Sequence, residues 1–431
     1  LLESRFNNFR AQLDGQRVAD NALREVLRSS DDGALRRRAW DASKQIGAEV
    51  EPDLLSLVGE RNEAAREVGF PDAYAMMLTL DELDEAALFA SLDEVERGTR
   101  GPFEAYKRDL DARLARRFGI GPGDLRPWHY VDPFFQEAPA AEVSLDPWFA
   151  DLALEDVTRR FFAAVGLDLA DVLRRSDLHE REGKCPHAFC ISVDRGDDVR
   201  VLCNLRPNEH WMSTLLHECG HAAYDLRVGR DLPWVLRGPA HILSTEASAM
   251  LFGRLSKNAA WLTRWAGVAA DEARAASAAC ARATRDQLLV QTRWMLVMCH
   301  MERALYRDPR QDLRALWWDL VERFQGVRRP EGREAPDWAS KIHFSVAPVY
   351  YHNYLLGEMM ASQLQRHLLE HVLGGGPGAW ERLVESPAVG EALTRDLYAS
   401  GRRHDWRGTL RRATGRALEP AAFVAELADG R

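Results

Sequence analysis

Ser213-Thr-Leu-Leu-His217-Glu218-Cys219-Gly220-His221-Ala-Ala-Tyr224 is the stretch on which the reading of this chain turns. Leu215 and Leu216 before the histidines and Ala222 and Ala223 after them recur at helical spacing, so the segment reads as a helix apolar on both sides of the motif. Residues four apart on a helix lie one turn above each other, so His217 and His221 can converge on one ion. Glu218, about 100° round the helix, faces a reacting water without ligating. The plain alternative is a solvated face with an incidental histidine pair. The flanking apolar residues argue for burial instead, and buried imidazoles with a carboxylate need a metal or polar partners.

A catalytic zinc ion takes three protein ligands and leaves a fourth position open. Asp225, Asp231, His241 and Glu246 are the candidates for the third, and we take Glu246. Ser244 reads as the cap of a helix Ser244-Thr-Glu-Ala-Ser-Ala-Met-Leu-Phe252, which puts Glu246 in the first turn of a segment able to pack beside the first. The metzincin pattern fails, because Tyr224 and Arg227 stand where it needs Gly and His. One zinc ion held by His217, His221 and Glu246, with Glu218 as general base, is the expectation.

Working outward, most of the chain runs at helical period, so the fold class is mainly α. Gly and Pro clusters at Gly119 to Gly123, Pro133, Gly326 to Pro336 and Gly374 to Gly378 read as loops within one fold. The exception is 187–205, where two β-rich runs flank Asp194-Arg-Gly-Asp-Asp198 and predict a small hairpin. A lone hairpin offers either a structural ribbon or an edge on which an extended peptide is bound. Further along, Lys341-Ile-His343 and Tyr351-His-Asn-Tyr354 supply donors for an oxyanion. Pro348 suits the first turn of a helix running to about Leu373, with Tyr351 and Tyr354 on one face.

The chain has 431 residues with a formal net charge of −9, which argues against a nucleic-acid partner. No apolar run approaches the ~20 residues a membrane helix requires. Leu1 to Arg10 lacks the features of a signal peptide, yet the chain does not begin with Met, so a soluble protein is expected and its compartment stays open between cytoplasmic and secreted or periplasmic. Six cysteines are too few for a disulfide scaffold. Cys219, Cys280 and Cys299 read as core residues, and a single bridge among Cys185, Cys190 and Cys203 would suit an oxidising compartment.

At this point the sequence resembles the angiotensin-converting-enzyme family of zinc peptidyl-dipeptidases, and more distantly the thimet oligopeptidase and oligoendopeptidase families. The likeness rests on His217-Glu-Cys-Gly-His221 with Glu246, on Asn62-Glu-Ala-Ala-Arg66 with Gly69-Phe70, and on His187-Ala188. It continues through Lys341-x-His343, Tyr351-x-x-Tyr354, and Ser400-Gly401 with Trp406. The resemblance implies a helical two-lobed fold with a deep central cleft, one catalytic unit over 1–431, a lid-like portion over 1–115, and the hairpin, zinc helix and substrate-binding helix over 116–431. It implies that His187 and His343 hydrogen-bond the substrate, that Ala188 binds it through its backbone, and that Tyr354 stabilises the oxyanion. Lys341 and Tyr351 would clamp the C-terminal carboxylate of an oligopeptide.

Three departures stand out. The clamp glutamine has no evident counterpart, the expected segment reading Trp128-His-Tyr130. Asn353 replaces the chloride-binding arginine and Met250 an expected aspartate, so chloride activation is not expected. The chain is also short in its N-terminal half, which implies a reduced lid. The rival expectations are an oligoendopeptidase, with Lys341 paired to a carboxylate of its own protein, and a catalytically silent peptide-binding protein. Oligomeric state is not legible.

Overall fold

The computed structural model describes residues 1–139, 143–182, 184–185 and 187–429. It is mainly α, 66% helical, and the described residues contain two small antiparallel hairpins. The chain divides into two compact units, Leu1–Ala140 with Thr284–His352, and Ala141–Ala283 with Asn353–Arg431.

In the first unit, the helix Gly33–Glu67 starts where the Asp32 carboxylate accepts from the N–H groups of Ala34 and Leu35. Trp40, buried on it, donates its indole N–H to the Pro133 carbonyl at 3.0 Å. Gly47 lets the segment ahead of Lys341 lie close, since a Cβ there would meet the Pro336 carbonyl oxygen at 2.5 Å. Arg333 then fixes that segment by reaching both Asp337, at 2.7 Å, and Asp41, at 2.9 Å. Asn62, of the Asn62 to Arg66 motif, is buried; it donates to the Tyr306 carbonyl and accepts from the Ala73 N–H. Its neighbour Arg61, just ahead of the motif, bonds the Ser345 carbonyl at 3.0 Å and so supports the backbone just after His343.

This unit also carries a hairpin that the sequence reading overlooked, Ala11–Leu13 paired with Gln16–Val18. Asp14 and Gly15, both at positive φ, form its two-residue turn, and Asp-Gly is the local signal for it.

In the second unit, the expected hairpin is present as Phe189–Ser192 and Val199–Leu202. The helices Glu209–Arg227 and Ile242–Gly253 pack together over a core that includes Phe161, Phe162, Phe252 and Trp261. Two boundaries differ from expectation. His241, not Ser244, caps the second helix, its ring nitrogen accepting from the Leu243 N–H at 3.1 Å, while Ser244 is buried within the helix. The tyrosine-bearing helix spans His352–His367 and continues as a π-helical turn, Leu368–Val372. Pro348 and Tyr351 therefore precede it, and Tyr351 and Tyr354 do not share a helical face. Val349, at φ 53, holds the chain out of the helical region there.

Candidate metal centre and substrate-binding residues

Two packed helices build the centre of the second unit. Asn208 caps the helix Glu209–Arg227 by accepting from the Trp211 N–H at 2.9 Å, which sets where its first turn begins and so which way the motif faces. Gly220, inside the motif, is a point of close approach to the second helix. A Cβ on it would meet Ala249 Cα at 2.7 Å and the Ser248 carbonyl oxygen at 2.9 Å. Ser248 donates to the Gly220 carbonyl at 3.0 Å and Ser213 to the Gly253 carbonyl at 2.9 Å, cross-linking the pair.

That close packing brings the carboxylate of Glu246 to both imidazoles. Its oxygens lie 3.7 Å from His217 Nε2 and 3.9 Å from His221 Nε2, and one ligand atom from each of the three residues falls within 4.8 Å of the others. Among the described residues this is the sole group of three or more such side chains. The two carboxylate-to-imidazole separations, below about 4 Å, suit an ion at about 2.0–2.2 Å from each of those atoms, the length of zinc bonds to nitrogen and oxygen. Burial holds His217 down to about 4 and His221 to about 3, the latter also through His217, so both rings are neutral at pH 7 with lone pairs to offer. His221 Nδ1 is 2.7 Å from the Thr245 hydroxyl, which fixes the ring and leaves Nε2 for a metal. The donor set fits zinc. None of the other third-ligand candidates, Asp225, Asp231 and His241, joins this group among the described residues; Asp231 pairs with Arg403 at 3.1 Å, and His241 is a helix cap.

Glu218 is buried beside this set. Burial first, and the Glu246 carboxylate second, push it up to about 7, partly offset by a hydrogen bond from the Cys190 N–H. Cys190 belongs to the hairpin strand Phe189–Ser192, so the strand touches the candidate base, with Ala188 and the exposed His187 immediately ahead of it. Tyr354 lies close enough to Glu246 for that carboxylate to raise its hydroxyl further, after burial.

Gly220→Val is expected to drive the helices apart. Overpacking of this kind costs about 1–3 kcal/mol, and zinc affinity should fall with it, measured by thermal unfolding with and without metal. Unchanged melting and zinc affinity would show that the close approach is not what holds Glu246 in reach.

Lys341, His343 and Tyr351 belong to the first unit and gather there. The Lys341 ammonium donates to Gln136 Oε1 at 2.8 Å and lies within 6 Å of the rings of Phe134, Trp294 and Tyr351. Burial brings its pKa down to about 8. Tyr351 accepts from the Trp294 indole N–H at 2.8 Å, and the His343 ring stands edge-on to Tyr351 at 4.9 Å. His343 Nδ1 is buried with no hydrogen-bond partner among the described residues, and burial lowers the ring to about 4.

Sequence reading missed Gln136. It looked to Trp128-His-Tyr130, whose Trp128 and Tyr130 carbonyls are occupied by Arg36. It also missed Glu302, buried, which accepts from the Val349 N–H at 2.7 Å and so pins the positive-φ residue two before Tyr351. Neither has a local signal. The six cysteines are all free thiols, Cys219, Cys280 and Cys299 buried as expected.

Two histidines one turn apart, a carboxylate from a neighbouring helix and a buried second carboxylate constitute the donor set of a helical metallopeptidase. The sequence profile of the angiotensin-converting enzyme family matches residues 143–426, and the chain belongs to that family. It is accordingly a zinc metallopeptidase acting on peptides. No curated protein matched the chain. None of its described helices is long and apolar enough to cross a membrane.

Proposed function

We propose that this enzyme is a peptidyl-dipeptidase, releasing dipeptides from the free C-termini of oligopeptides, with one zinc ion held by His217, His221 and Glu246. The observation that carries the exopeptidase reading is the setting of Lys341. Among the described residues its nitrogen bonds an amide oxygen, that of Gln136, and not a carboxylate of its own protein. The nearby Asp132 carboxylate is already occupied by the N–H groups of Phe134, Gln136 and Glu137. A buried ammonium left beside an amide is suited to an incoming carboxylate.

When bound, zinc supplies Lewis acidity that acidifies a water molecule and polarises a peptide carbonyl. Glu218 takes the proton of the attacking water and returns it to the leaving amine. Tyr354 and His343 donate to the developing oxyanion. His187 and the Ala188 backbone hold the peptide, which lies along the strand Phe189–Ser192. That strand pairs only with Val199–Leu202 among the described strands; it carries the exposed apolar side chains Phe189, at 42%, and Ile191, at 49%, and is followed by Val193, at 55%. Lys341, Gln136 and Tyr351 clamp the C-terminal carboxylate. Residues 1–115 act as the lid-like portion.

Product masses from oligopeptides with free and amidated C-termini test the specificity. Stepwise loss of C-terminal dipeptides, blocked by amidation, is expected. Internal cleavage indifferent to amidation would establish the oligoendopeptidase instead.

Tyr354→Phe is expected to lower kcat by about 100- to 1000-fold, the usual cost of losing one oxyanion donor, with KM little changed. Unchanged turnover would remove Tyr354 from this role. Lys341 binds a carboxylate while protonated, and that form is lost as pH rises through about 8. KM for a free C-terminal peptide should therefore rise above that pH, while Lys341→Ala should raise KM at every pH and abolish the dependence. A KM indifferent to both would contradict the clamp.

A further inference from the structure

A second pair of histidines four apart, His367-Leu-Leu-Glu370-His371, lies at the end of the tyrosine-bearing helix. The order H-x-x-E-H is one that a class of zinc enzymes uses to hold its ion, and the peptidase reading assigns it nothing. The α-helix passes here into the π-helical turn Leu368–Val372, a rare geometry enriched at functional sites. The two ring centroids stand 5.2 Å apart, against 4.9 Å for His217 and His221. His367 Nδ1 is buried with no hydrogen-bond partner among the described residues. Both rings line a cavity of about 150 Å³ with Gln363, Thr414 and Glu419, which is room for an ion and its waters.

The charges around the cavity nearly balance. Glu370 and Glu419 face Arg366 and Arg416, and Arg416 lies 3.5 Å from the Glu419 carboxylate. A hard cation such as calcium, which requires six or more oxygens, is poorly served there. Two imidazole nitrogens instead suit zinc, nickel or copper.

We infer that His367 and His371 bind a second divalent transition-metal ion, apart from the site of His217, His221 and Glu246. Among the described residues only the latter set brings three ligand atoms together, so water fills the remaining positions of the second site. It binds metal without the third protein ligand that a catalytic zinc site has.

Untagged, metal-free protein titrated with zinc alone by calorimetry tests this. Wild type is expected to take up one ion tightly and one more weakly. His371→Asn, at an exposed position, should lose the weak event alone and keep full peptidase activity at limiting zinc, and His367→Asn should do the same. His217→Ala should keep the weak event. Saturation of wild type at a single ion, or retention of the weak event in His371→Asn, would overturn the inference.

Discussion

Glu218→Gln should lower kcat/KM by roughly 10²- to 10⁴-fold, the range general acid–base catalysis contributes, while the protein keeps its zinc. The side chain is isosteric, remains able to accept from the Cys190 N–H, and is not among the three residues whose ligand atoms converge. What is lost is the carboxylate that moves a proton. Glu218 stands near 7 because it is buried beside Glu246. A cation between the histidines favours its ionised form, so the acid limb of the wild-type pH profile should fall at or below that value. Peptide turnover and bound zinc, measured on the same preparation, separate the outcomes. Zinc lost together with activity would mean that Glu218 is a ligand, and activity retained would mean that another base serves.

Replacing a ligand should have the opposite pattern. In His221→Ala, zinc and hydrolysis are expected to disappear together, and restoring activity should require metal far above the wild-type need. His221 has two duties here: its Nε2 faces Glu246 at 3.9 Å, and its Nδ1 is tied to Thr245 at 2.7 Å. Its loss removes one corner of the donor set and leaves the Glu246 carboxylate, whose pKa burial already raises, with His217 but no longer His221 beside it. Metal analysis after dialysis and an activity titration with zinc would check it. Wild-type zinc content in this variant would contradict the ligand assignment.

The helix Glu209–Arg227 was legible because its signals are local: the apolar run and the histidine spacing. Glu246 was legible by chemistry as a carboxylate able to approach both histidines, but its helix begins about a turn before Ser244. Ser is the common capping residue, but His241 took the position because its ring nitrogen can also accept from the backbone. Pro348 misled for a different reason. Its fixed φ suits a helix start, but Glu302, 47 residues away, holds Val349 in a conformation that no helix continues. Gln136 and Lys341 are 205 residues apart, and no periodicity encodes a pairing of that span. Gly220 reads in sequence only as an unnamed position of the motif, and its role as the meeting point of two helices depends on where Ala249 lies. The Asp14-Gly15 turn, in contrast, was available and was passed over among helical neighbours.

Anomalous diffraction from zinc-loaded crystals at the zinc absorption edge tests the central claim most directly. The account predicts the strongest peak at about 2.0–2.2 Å from His217 Nε2, His221 Nε2 and a Glu246 oxygen, with Glu218 beside it and not bonded to it. A strongest peak away from these three atoms, or one bonded to Glu218, would contradict it.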